Sequence, residues 1–249
     1  MLPEIARTAI SAYSAPGDMV LDPMCGVGTT LVEAVRLGRD AFGVEYESAW
    51  AELARANLDH ARSQGATGKG EVVCADARDL LKLAGANLRG SVALVLTSPP
   101  YGSSVHGHVR TKPGVGVRKT DYRYSKDPAN LAHRPLDELL EAFGQILAGC
   151  SGLLRPGGFV VLTVRPFWSG GRLVDLPGMV TRTAQGAGLV LHERNVALLA
   201  GLRGDRLVPR ASFFALDQVR RARARGVPRL VPAHEDVLVF LKADAGYGR

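Results

Sequence analysis

A short polar motif in the middle of the chain combines residue types that can hold a flat, amide-like group. Ser98-Pro99-Pro100-Tyr101 follows the apolar run Val92–Leu96, with only Thr97 between them. A run this short, closed by two prolines that lack a backbone N–H, predicts a buried strand that ends near Ser98. In open α/β sheets, ligands bind beyond the carboxyl ends of the strands. A hydroxyl, a rigid turn with free carbonyls and an aromatic ring would therefore face a ligand crevice.

A glycine-containing loop near the start of the chain predicts a second site at the same sheet edge. Met19–Asp22 is a predicted strand, and Pro23-Met24-Cys25-Gly26-Val27-Gly28-Thr29-Thr30 leads from it into a helix. Glycine lets the backbone turn tightly and approach a ligand, and a helix N-terminus offers free N–H groups to an anion. Leu31 stands where the dinucleotide motif G-x-G-x-x-G needs its third glycine, and the P-loop pattern is absent. The loop thus favours a nucleotide-like ligand other than NAD.

Two acidic residues end the next two predicted strands. Glu45 closes Ala41–Glu45 and Asp76 closes Glu71–Asp76. A carboxylate at the second strand end suits the two hydroxyls of a ribose, and one at the third strand end suits an adenine amino group. Capping of the following helices is the alternative interpretation of each acid. Because both acids should face the same crevice as the glycine loop, capping alone explains the pair less well.

The elements around these motifs alternate between strands and helices. This order predicts an α/β fold with a mostly parallel, seven-stranded sheet and helices on both faces. We expect one domain over residues 1–249, with a basic loop insertion at about 102–134 and a basic segment at about 203–233. Besides the strands named above, the predicted elements are helices at Pro3–Tyr13, Leu31–Leu37, Ala49–Ala61, Asp79–Leu83, Pro135–Leu147 and Val174–Ala187, a turn at Leu153–Gly158, and strands at Phe159–Val164, Leu189–Leu199 and Glu235–Lys242.

The composition describes a globular, basic protein. The chain has 249 residues, 46% of them hydrophobic, and a net charge of +7. No apolar run approaches the roughly 20 residues that cross a bilayer, and the N-terminus lacks the pattern of an export signal, so we expect a cytoplasmic protein without membrane contact. Cys25, Cys74 and Cys150 lack the spacing of a zinc site or a disulfide framework, and His106 and His108 have no acid or cysteine near them at ligand spacing. We expect no metal.

The positive charge is concentrated in two segments. Residues 101–134 contain seven lysines and arginines against two aspartates, and residues 203–234 contain eight arginines against two aspartates, while the rest of the chain is net acidic. Two basic segments on an acidic body indicate a polyanionic partner, with solvated loops and a solvated helix face as the alternative. The predicted nucleic-acid-binding residues are Arg110, Lys112, Arg118, Lys119, Arg123, Arg220, Arg221 and Arg223.

Taken together, Val20–Leu31, Gly43-Val44-Glu45 and Leu96–Tyr101 resemble the S-adenosylmethionine-dependent amino-methyltransferases of DNA. The form Thr-Ser-Pro-Pro-Tyr looks most like the cytosine-N4 branch. The resemblance implies a class I (Rossmann-like) methyltransferase fold, S-adenosylmethionine as cofactor, and DNA as partner with RNA as the alternative, with a monomer and a homodimer both open. The cofactor-binding residues that it implies are Asp22, Pro23, Met24, Cys25, Gly26, Gly28, Thr29, Thr30, Glu45, Tyr46, Asp76 and Ala77.

The same resemblance implies a catalytic role for Ser98, Pro99, Pro100 and Tyr101. The Ser98 hydroxyl and the Pro99 carbonyl would accept the hydrogens of an exocyclic amine, and Tyr101 would stack on the base. A base inside a duplex cannot reach such a site, so it would have to be extruded or presented single-stranded. Methylation of a ring carbon would need a covalent nucleophile such as a cysteine after a proline, and no Pro-Cys dipeptide occurs.

Three alternatives to cytosine N4 remain. Adenine-N6 methyltransferases of DNA more often carry an asparagine or aspartate in place of the serine. A tRNA guanine-N2 methyltransferase shares the order of glycine loop before catalytic motif, but its motif is commonly Asp-Pro-Pro-Tyr, and Ser98 therefore favours DNA. A non-catalytic module that only binds S-adenosylmethionine or nucleic acid is the third alternative, and an intact Ser-Pro-Pro-Tyr motif argues against it.

Overall fold

The computed structural model describes residues 1–100, 108–112, 116–120, 127, 130–210 and 213–242, with the backbone alone at 108–112, 116–120 and 213–214. Within these residues the α-helices, in chain order, are α1 Pro3–Tyr13, α2 Thr29–Arg36, α3 Ser48–Ser63, α4 Leu80–Leu83, α5 Leu136–Leu153, α6 Leu176–Gly186 and α7 Phe213–Ala224. Single 3₁₀ turns lie at Ala77–Asp79 and Leu131–His133. None of the described helices is both long and apolar enough to cross a membrane.

The strands form one large sheet and three two-stranded ribbons. In chain order they are β1 Met19–Asp22, β2 Asp40–Glu45, β3 Gly70–Cys74, β4 Val92–Thr97, β5 His108–Lys112, β6 Gly116–Thr120, β7 Leu154–Val164, β8 Phe167–Ser169, β9 Arg172–Val174, β10 Leu189–Leu198, β11 Ala200–Arg203, β12 Arg206–Pro209 and β13 His234–Lys242. The seven-stranded sheet has the order β10-β13-β7-β4-β1-β2-β3, and the ribbons pair β5 with β6, β8 with β9 and β11 with β12. Because β3, β2, β1, β4 and β7 run parallel and only β13 is reversed, the prediction of a mostly parallel, seven-stranded sheet is confirmed.

The sheet is buried on both faces, which explains why its central strand is an unbroken apolar run. Leu94 and Leu96 of β4 pack on the layer formed by α1, α2 and α3, whereas Val95 packs on the opposite layer with α5 and α6. All six residues of β4 are buried. Parallel strands covered by helices on both faces require apolar side chains in both directions, so period-two alternation is lost.

The sequence predictions were wrong about several connections. The predicted turn at Leu153–Gly158 begins with the last residue of α5 and continues as the start of β7, where Leu154 pairs with Val92 and Phe159 with Leu94, so the register shifts between these two pairs. The basic loop predicted without regular structure contains the ribbon of β5 and β6, and the ribbon of β11 and β12 was not predicted at all. Helix α6 begins at Leu176 rather than at Val174, because the Asp175 carboxylate caps it by accepting a hydrogen bond from the Gly178 amide.

Candidate active site

A cavity of about 300 Å³ opens where the carboxyl ends of four neighbouring parallel strands meet. Strands β3, β2, β1 and β4 each deliver a loop to this edge, as the sequence predicted for the acidic and proline-rich motifs. The lining residues are Pro23, Met24, Gly26, Glu45, Tyr46, Ala75, Asp76, Ala77, Ser98, Pro99, Pro100, Asn130, Leu131, Ala132 and Ile146. The cavity therefore brings together residues of both predicted sites, the nucleotide-like one and the amide-binding one.

The glycine loop is held in place by its backbone. The Cys25 amide donates to the Val44 carbonyl at 2.9 Å, which ties the loop to the end of β2. Gly26 has a φ of +54°, and a side chain there would meet no atom within 4 Å of its Cβ, so the backbone of Gly26 lies open to the cavity. Gly28, at a φ of +81°, begins α2, and a side chain there would press on Ala54 of α3 at 3.1 Å. Gly26 thus provides access for a ligand, whereas Gly28 provides close helix packing.

Glu45 joins the end of β2 to the loop from β1. One carboxylate oxygen, Oε2, accepts a hydrogen bond from the Gly26 amide at 2.8 Å, and Oε1 accepts one from the Glu47 amide at 2.9 Å. Burial raises the pKa of Glu45, and these two backbone amides oppose the shift because they stabilise the anion. Each oxygen keeps a further lone pair for the cavity. Glu45 accordingly organises the loop and also lines the cavity, and its contact with a ligand stays a prediction.

Asp22 lies beneath the cavity and does not line it. The side chain is buried, and Oδ1 accepts a hydrogen bond from the Met24 amide at 3.1 Å. Burial raises the pKa of Asp22, opposed by the nearby hydroxyls of Thr97 and Thr30. Thr97 Oγ1 nevertheless falls outside hydrogen-bonding geometry with any described residue. The position of Asp22 suits a residue that shapes the loop, and Met24 is the neighbour that reaches the cavity.

The remaining predicted loop residues are also structural in position. Cys25 and Thr30 are buried, and the Thr30 hydroxyl donates to the Leu96 carbonyl at 3.4 Å, which connects α2 to β4. Burial raises the pKa of the Cys25 thiol. Thr29 is the first residue of α2 and, like Cys25, Gly28 and Thr30, does not line the cavity.

Asp76 lines the cavity and also caps a helical turn. Its Oδ1 accepts a hydrogen bond from the Arg78 amide at 2.9 Å, at the start of the 3₁₀ turn that contains Ala77. The Arg78 guanidinium contacts both carboxylate oxygens, at 3.0 Å from Nε and 2.6 Å from Nη2. This pairing lowers the pKa of Asp76. Next to it, the Tyr46 hydroxyl donates to Asp127 at 2.6 Å, which brings the end of the basic loop to the cavity.

Three residues of the predicted catalytic motif line the same cavity. Pro99 is buried, Ser98 and Pro100 are half-buried, and all three line the cavity directly after β4. Tyr101 lies outside the described residues. Below them, Thr97 ends β4 opposite Leu162 of β7. The structure therefore brings Ser98 and the two prolines to the same space as Gly26 and Glu45.

Sequence reasoning missed that residues 130–132, near the end of the basic loop, form part of the cavity wall. Asn130 is buried, its side-chain amide donates to the Glu47 carboxylate, and its Oδ1 accepts a hydrogen bond from the Ala132 amide at 2.9 Å. Leu131 and Ala132 follow it along the wall, and Ile146 of α5 and Ala75 complete it. An asparagine before a short helical turn is a capping signal in the sequence, but its long-range contact with Glu47 has no local signature.

The predicted nucleic-acid-binding residues are only partly described. Arg110, Lys112, Arg118 and Lys119 belong to β5 and β6, where the backbone alone is described, and Arg123 lies outside the described residues. On α7, Arg220 is exposed, and Arg221 pairs with Asp217 at 2.8 Å. Arg223 donates through Nε to the Arg229 carbonyl at 3.0 Å. All three helix arginines are at the surface.

The described part of the chain contains no group of three histidine, cysteine, aspartate or glutamate side chains placed to hold a metal ion. An organic cofactor fits the cavity better. Its volume lies at the lower end of the range for small-molecule sites, and its walls combine apolar surface with a few fixed polar groups. The open backbone at Gly26 and the carboxylates of Glu45 and Asp76 are the groups that would meet a nucleoside-like ligand.

Comparison with known proteins points to methyltransferases of nucleic acids. A family model described as DNA methylase matches residues 3–56, which include α1, the glycine loop and Glu45. A tRNA (guanine(10)-N2)-dimethyltransferase from Methanothermobacter thermautotrophicus is 37% identical over 105 residues, 42% of this chain and 28% of that protein. The type II methyltransferase M.MthZI from the same species is 38% identical over 56 residues, 22% of this chain and 16% of that protein. The chain thus spans less than a third of either relative.

Solved structures share the architecture over nearly the whole chain. TrmN from Thermus thermophilus superposes with a TM-score of 0.57 at 19% identity, over 98% of this chain and 49% of that one. A SAM-dependent O-methyltransferase from Thermotoga maritima superposes with a TM-score of 0.56 at 13% identity, over 98% of this chain and 66% of that one. The predicted class I methyltransferase fold is confirmed.

Proposed function

We propose that this protein is an S-adenosylmethionine-dependent methyltransferase that acts on an exocyclic amino group of a nucleic-acid base, with cytosine N4 in DNA as its target. One observation carries the proposal: Ser98, Pro99 and Pro100 line the same cavity as Gly26 and Glu45. The residues proposed to hold the amine and those proposed to hold the cofactor thus line one cavity. The matches to a DNA methylase family model and to two methyltransferases support the reaction type.

On the cofactor side, S-adenosylmethionine would supply a methyl group bound to a sulfonium centre. Gly26 leaves room for a ligand against the loop backbone, and Glu45 would accept hydrogen bonds from ribose hydroxyls through the lone pairs that its backbone amides leave free. Asp76, already fixed by Arg78, would accept a hydrogen bond from the adenine amino group. Asp22 and Thr30 would act indirectly, because Asp22 accepts a hydrogen bond from the Met24 amide of the loop and Thr30 connects α2 to β4.

On the substrate side, the chain must aim a weakly nucleophilic nitrogen. The lone pair of an aromatic amine is delocalised into the ring, so the two N–H groups must be held in a geometry that localises it. The Ser98 hydroxyl and the Pro99 carbonyl would accept these hydrogens, and Tyr101 would stack on the base. Proline at positions 99 and 100 limits the backbone motion of this turn. Positioning and electrostatic preorganisation of this kind are the largest contributions that such a site can make.

The choice of DNA cytosine N4 rests on Ser98. A hydroxyl at this position is typical of the cytosine-N4 branch that the motif resembles, whereas the adenine-N6 and tRNA guanine-N2 enzymes more often have an acid or an amide there. Among the described lining residues, the carboxylates are those of Glu45 and Asp76, and the proposal assigns both to the cofactor. Ser98 is then the acceptor that faces the amine.

Guanine N2 in tRNA is the second candidate, and a specific observation favours it. The match to the tRNA dimethyltransferase extends over 105 residues, against 56 for the type II DNA methyltransferase. Both relatives are much longer than the matched region, which covers 28% of the first and 16% of the second. Adenine N6 in DNA is the third target compatible with two hydrogen-bond acceptors and a stacking ring.

Label transfer tests the proposal directly. The protein is incubated with tritiated S-adenosylmethionine and, separately, with duplex DNA, single-stranded DNA and tRNA, and the methylated nucleoside is identified by mass spectrometry. N4-methylcytosine in DNA is the expected product. If the product is N2-methylguanosine in tRNA or N6-methyladenine in DNA, the proposed reaction type stands and the proposed target, cytosine N4, is wrong. Binding of the cofactor by calorimetry without label in any nucleic acid would identify a non-catalytic binding module and refute the proposal.

A further inference from the structure

The ribbon of β11 and β12 has an unusual distribution of side chains. Leu202 and Leu207 lie directly opposite each other in the antiparallel register and are 77% and 59% exposed. Because side chains alternate between the two faces of a strand, Ala200 and Pro209, which also pair, share their face. One face of the ribbon is therefore wholly apolar, although no other described element covers it.

The opposite face of the ribbon carries two arginines beside Gly201 and Val208. Arg203 and Arg206 form the next pair in the register and point away from the leucines. Arg210 joins them, because its guanidinium lies across Gly201, where a Cβ would be 2.8 Å from Nε. Within the described structure none of these three arginines forms an ion pair, and Asp205 at the turn is the single acid of the ribbon.

The ribbon is anchored at the sheet edge that carries the active site. The Leu199 amide donates to the Ala233 carbonyl, and the Arg210 amide donates to the Leu199 carbonyl, both at 2.7 Å. Strand β10 runs in the same direction as β4, so the ribbon continues from the same edge as Ser98. Three strand spacings of about 4.8 Å separate β10 from β4, or roughly 15 Å. This distance is less than one helical turn of B-DNA, which is about 34 Å.

We infer that this ribbon is a wedge for a base-paired nucleic acid: its arginine face binds phosphates and its Leu202–Leu207 pair enters the base stack beside the extruded base. The inference rests on the proposed function, because an enzyme that extrudes a base must stabilise the duplex that the base leaves. Proteins bind base-paired nucleic acids through apolar side chains inserted between base steps together with arginines that contact the phosphate backbone. A protein partner would use the leucine face and leave three arginines without a counter-charge.

Two sets of variants separate the faces of the ribbon. Leu202→Ser with Leu207→Ser removes the wedge, and Arg203→Gln, Arg206→Gln and Arg210→Gln together remove the phosphate contacts. Leu53→Ser is the matched control, because Leu53 is 41% exposed on α3. All substitutions are at the surface, and circular dichroism checks that each variant is folded. The probes are a fluorescein-labelled DNA duplex and a labelled tRNA transcript, each also prepared with 2-aminopurine within the paired region.

The expected results differ between the two sets. The leucine variant should bind about tenfold more weakly and lose the rise in 2-aminopurine fluorescence that reports unstacking, with an unchanged salt dependence. The arginine variant should lower the slope of log K against log salt by roughly 0.9 for each phosphate of duplex DNA that it no longer binds. Leu53→Ser should match the unmodified protein in both measurements.

Two outcomes would overturn the inference. One is a leucine variant with the unstacking signal and affinity of the unmodified protein. The other is an unmodified protein that is dimeric in sedimentation and becomes monomeric in the leucine variant without a change in nucleic-acid binding, since the apolar face would then be a subunit contact. Neither measurement needs turnover. If the protein transfers methyl groups but the leucine substitutions change neither unstacking nor affinity, only the role of the ribbon is refuted. If unstacking depends on the ribbon but no nucleic acid is methylated, only the proposed function is refuted.

Discussion

The Glu45 carboxylate accepts a hydrogen bond from the Gly26 amide at 2.8 Å and so connects the ends of two neighbouring strands. Its other oxygen accepts from the Glu47 amide at the start of α3. One side chain thereby fixes the glycine loop, the second strand end and the next helix relative to each other. Substitution of Glu45 should consequently affect both the folded loop and the cofactor.

Glu45→Gln should weaken binding of S-adenosylmethionine by roughly 10- to 100-fold, because a hydrogen bond to a charged group contributes about 1.5–3 kcal/mol and the glutamine amide cannot accept from both backbone N–H groups. Isothermal calorimetry measures this change. Glu71→Gln is the control, since Glu71 is exposed on β3 and does not line the cavity. Equal affinities for Glu45→Gln and Glu71→Gln would contradict the role of Glu45.

Asp22→Asn should change the pH dependence of stability. Burial raises the pKa of Asp22 in the folded state. A carboxyl group whose folded pKa exceeds its unfolded value, about 3.9, favours folding most at low pH, and this contribution is lost as the pH rises through the folded pKa. The asparagine does not ionise and can still accept from the Met24 amide. The variant should gain stability relative to the unmodified protein as the pH rises.

Urea denaturation between pH 3 and pH 8, a range that begins below the unfolded pKa of about 3.9, provides the measurement for Asp22. The difference in unfolding free energy between the variant and the unmodified protein should shift toward the variant by about 1.4 kcal/mol for each unit of pKa elevation. Asp137→Asn, an exposed substitution on α5, is the control for the loss of a surface carboxylate. A difference that is constant with pH would mean that the pKa of Asp22 is not elevated in the folded protein.

Gly43→Ala should destabilise the protein although Gly43 lies in regular β2. A Cβ at this position would be 2.5 Å from Leu31 Cδ1 and 3.0 Å from Cys25 Sγ. Both neighbours are buried, so the extra methyl group overpacks the contact between β2 and the glycine loop at a cost of about 1–3 kcal/mol. Chemical denaturation should show the loss, and calorimetry should show weaker cofactor binding.

Gly65→Ala is an informative control for Gly43→Ala. Gly65 has a φ of +91°, but a Cβ added there would have no atom within 4 Å. It therefore separates the cost of a left-handed backbone from the cost of crowding. If Gly65→Ala lowered cofactor affinity as much as Gly43→Ala, the loss would reflect general instability and not pressure on the loop.

Local patterns predicted the part of the site that lies on strand ends. The apolar run before Ser98 and the acids after β2 and β3 place these residues at one edge as soon as the strands are parallel, because parallel strands share a carboxyl edge. The family resemblance assigned Asp22 to cofactor binding, whereas the residue is buried and does not line the cavity. A sequence shows that a strand ends in an acid, but the twist of the chain after the strand decides whether the carboxylate faces the cavity or the core.

Long-range contacts account for what the sequence did not predict. Asn130 reaches Glu47 across 83 residues, so no window of the sequence contains both partners. The sequence does not show that Gly43 needs to be a glycine, because Leu31 and Cys25 contact it only in the folded protein. The ribbon of β11 and β12 does have a local signal that was overlooked, because Gly204-Asp205 between two short runs is typical of a two-residue hairpin turn.

Asn130→Ala should weaken cofactor binding and stability together. The side chain is buried, donates to Glu47 and caps the turn at Leu131–His133. Its removal leaves buried polar groups without partners, which costs about 1–3 kcal/mol. Thermal denaturation and calorimetry measure both effects, with the exposed Asn87→Ala as control. Loss of stability with unchanged cofactor affinity would show that the wall formed by Leu131 and Ala132 does not contribute to binding.

Ser98→Ala should reduce turnover far more than cofactor affinity. Ser98 lines the cavity directly after β4, where its hydroxyl would accept an amino hydrogen of the base. Loss of one such preorganised group lowers kcat by roughly 10²-fold. Ser98→Asp keeps an acceptor and should restore part of the rate. Tyr101→Ala should likewise lower turnover with little change in cofactor affinity, since stacking on the base is the role proposed for that ring.

Single-turnover kinetics with tritiated S-adenosylmethionine, together with calorimetry of cofactor binding, separate the two effects for Ser98. Ser91→Ala is the control, because this exposed serine precedes the same strand at its other end. A Ser98→Ala variant that loses turnover and cofactor affinity in equal proportion would place the hydroxyl in the cofactor site. A variant with full turnover would leave the Pro99 carbonyl as the acceptor, and the preference for cytosine that rests on Ser98 would then have to be abandoned.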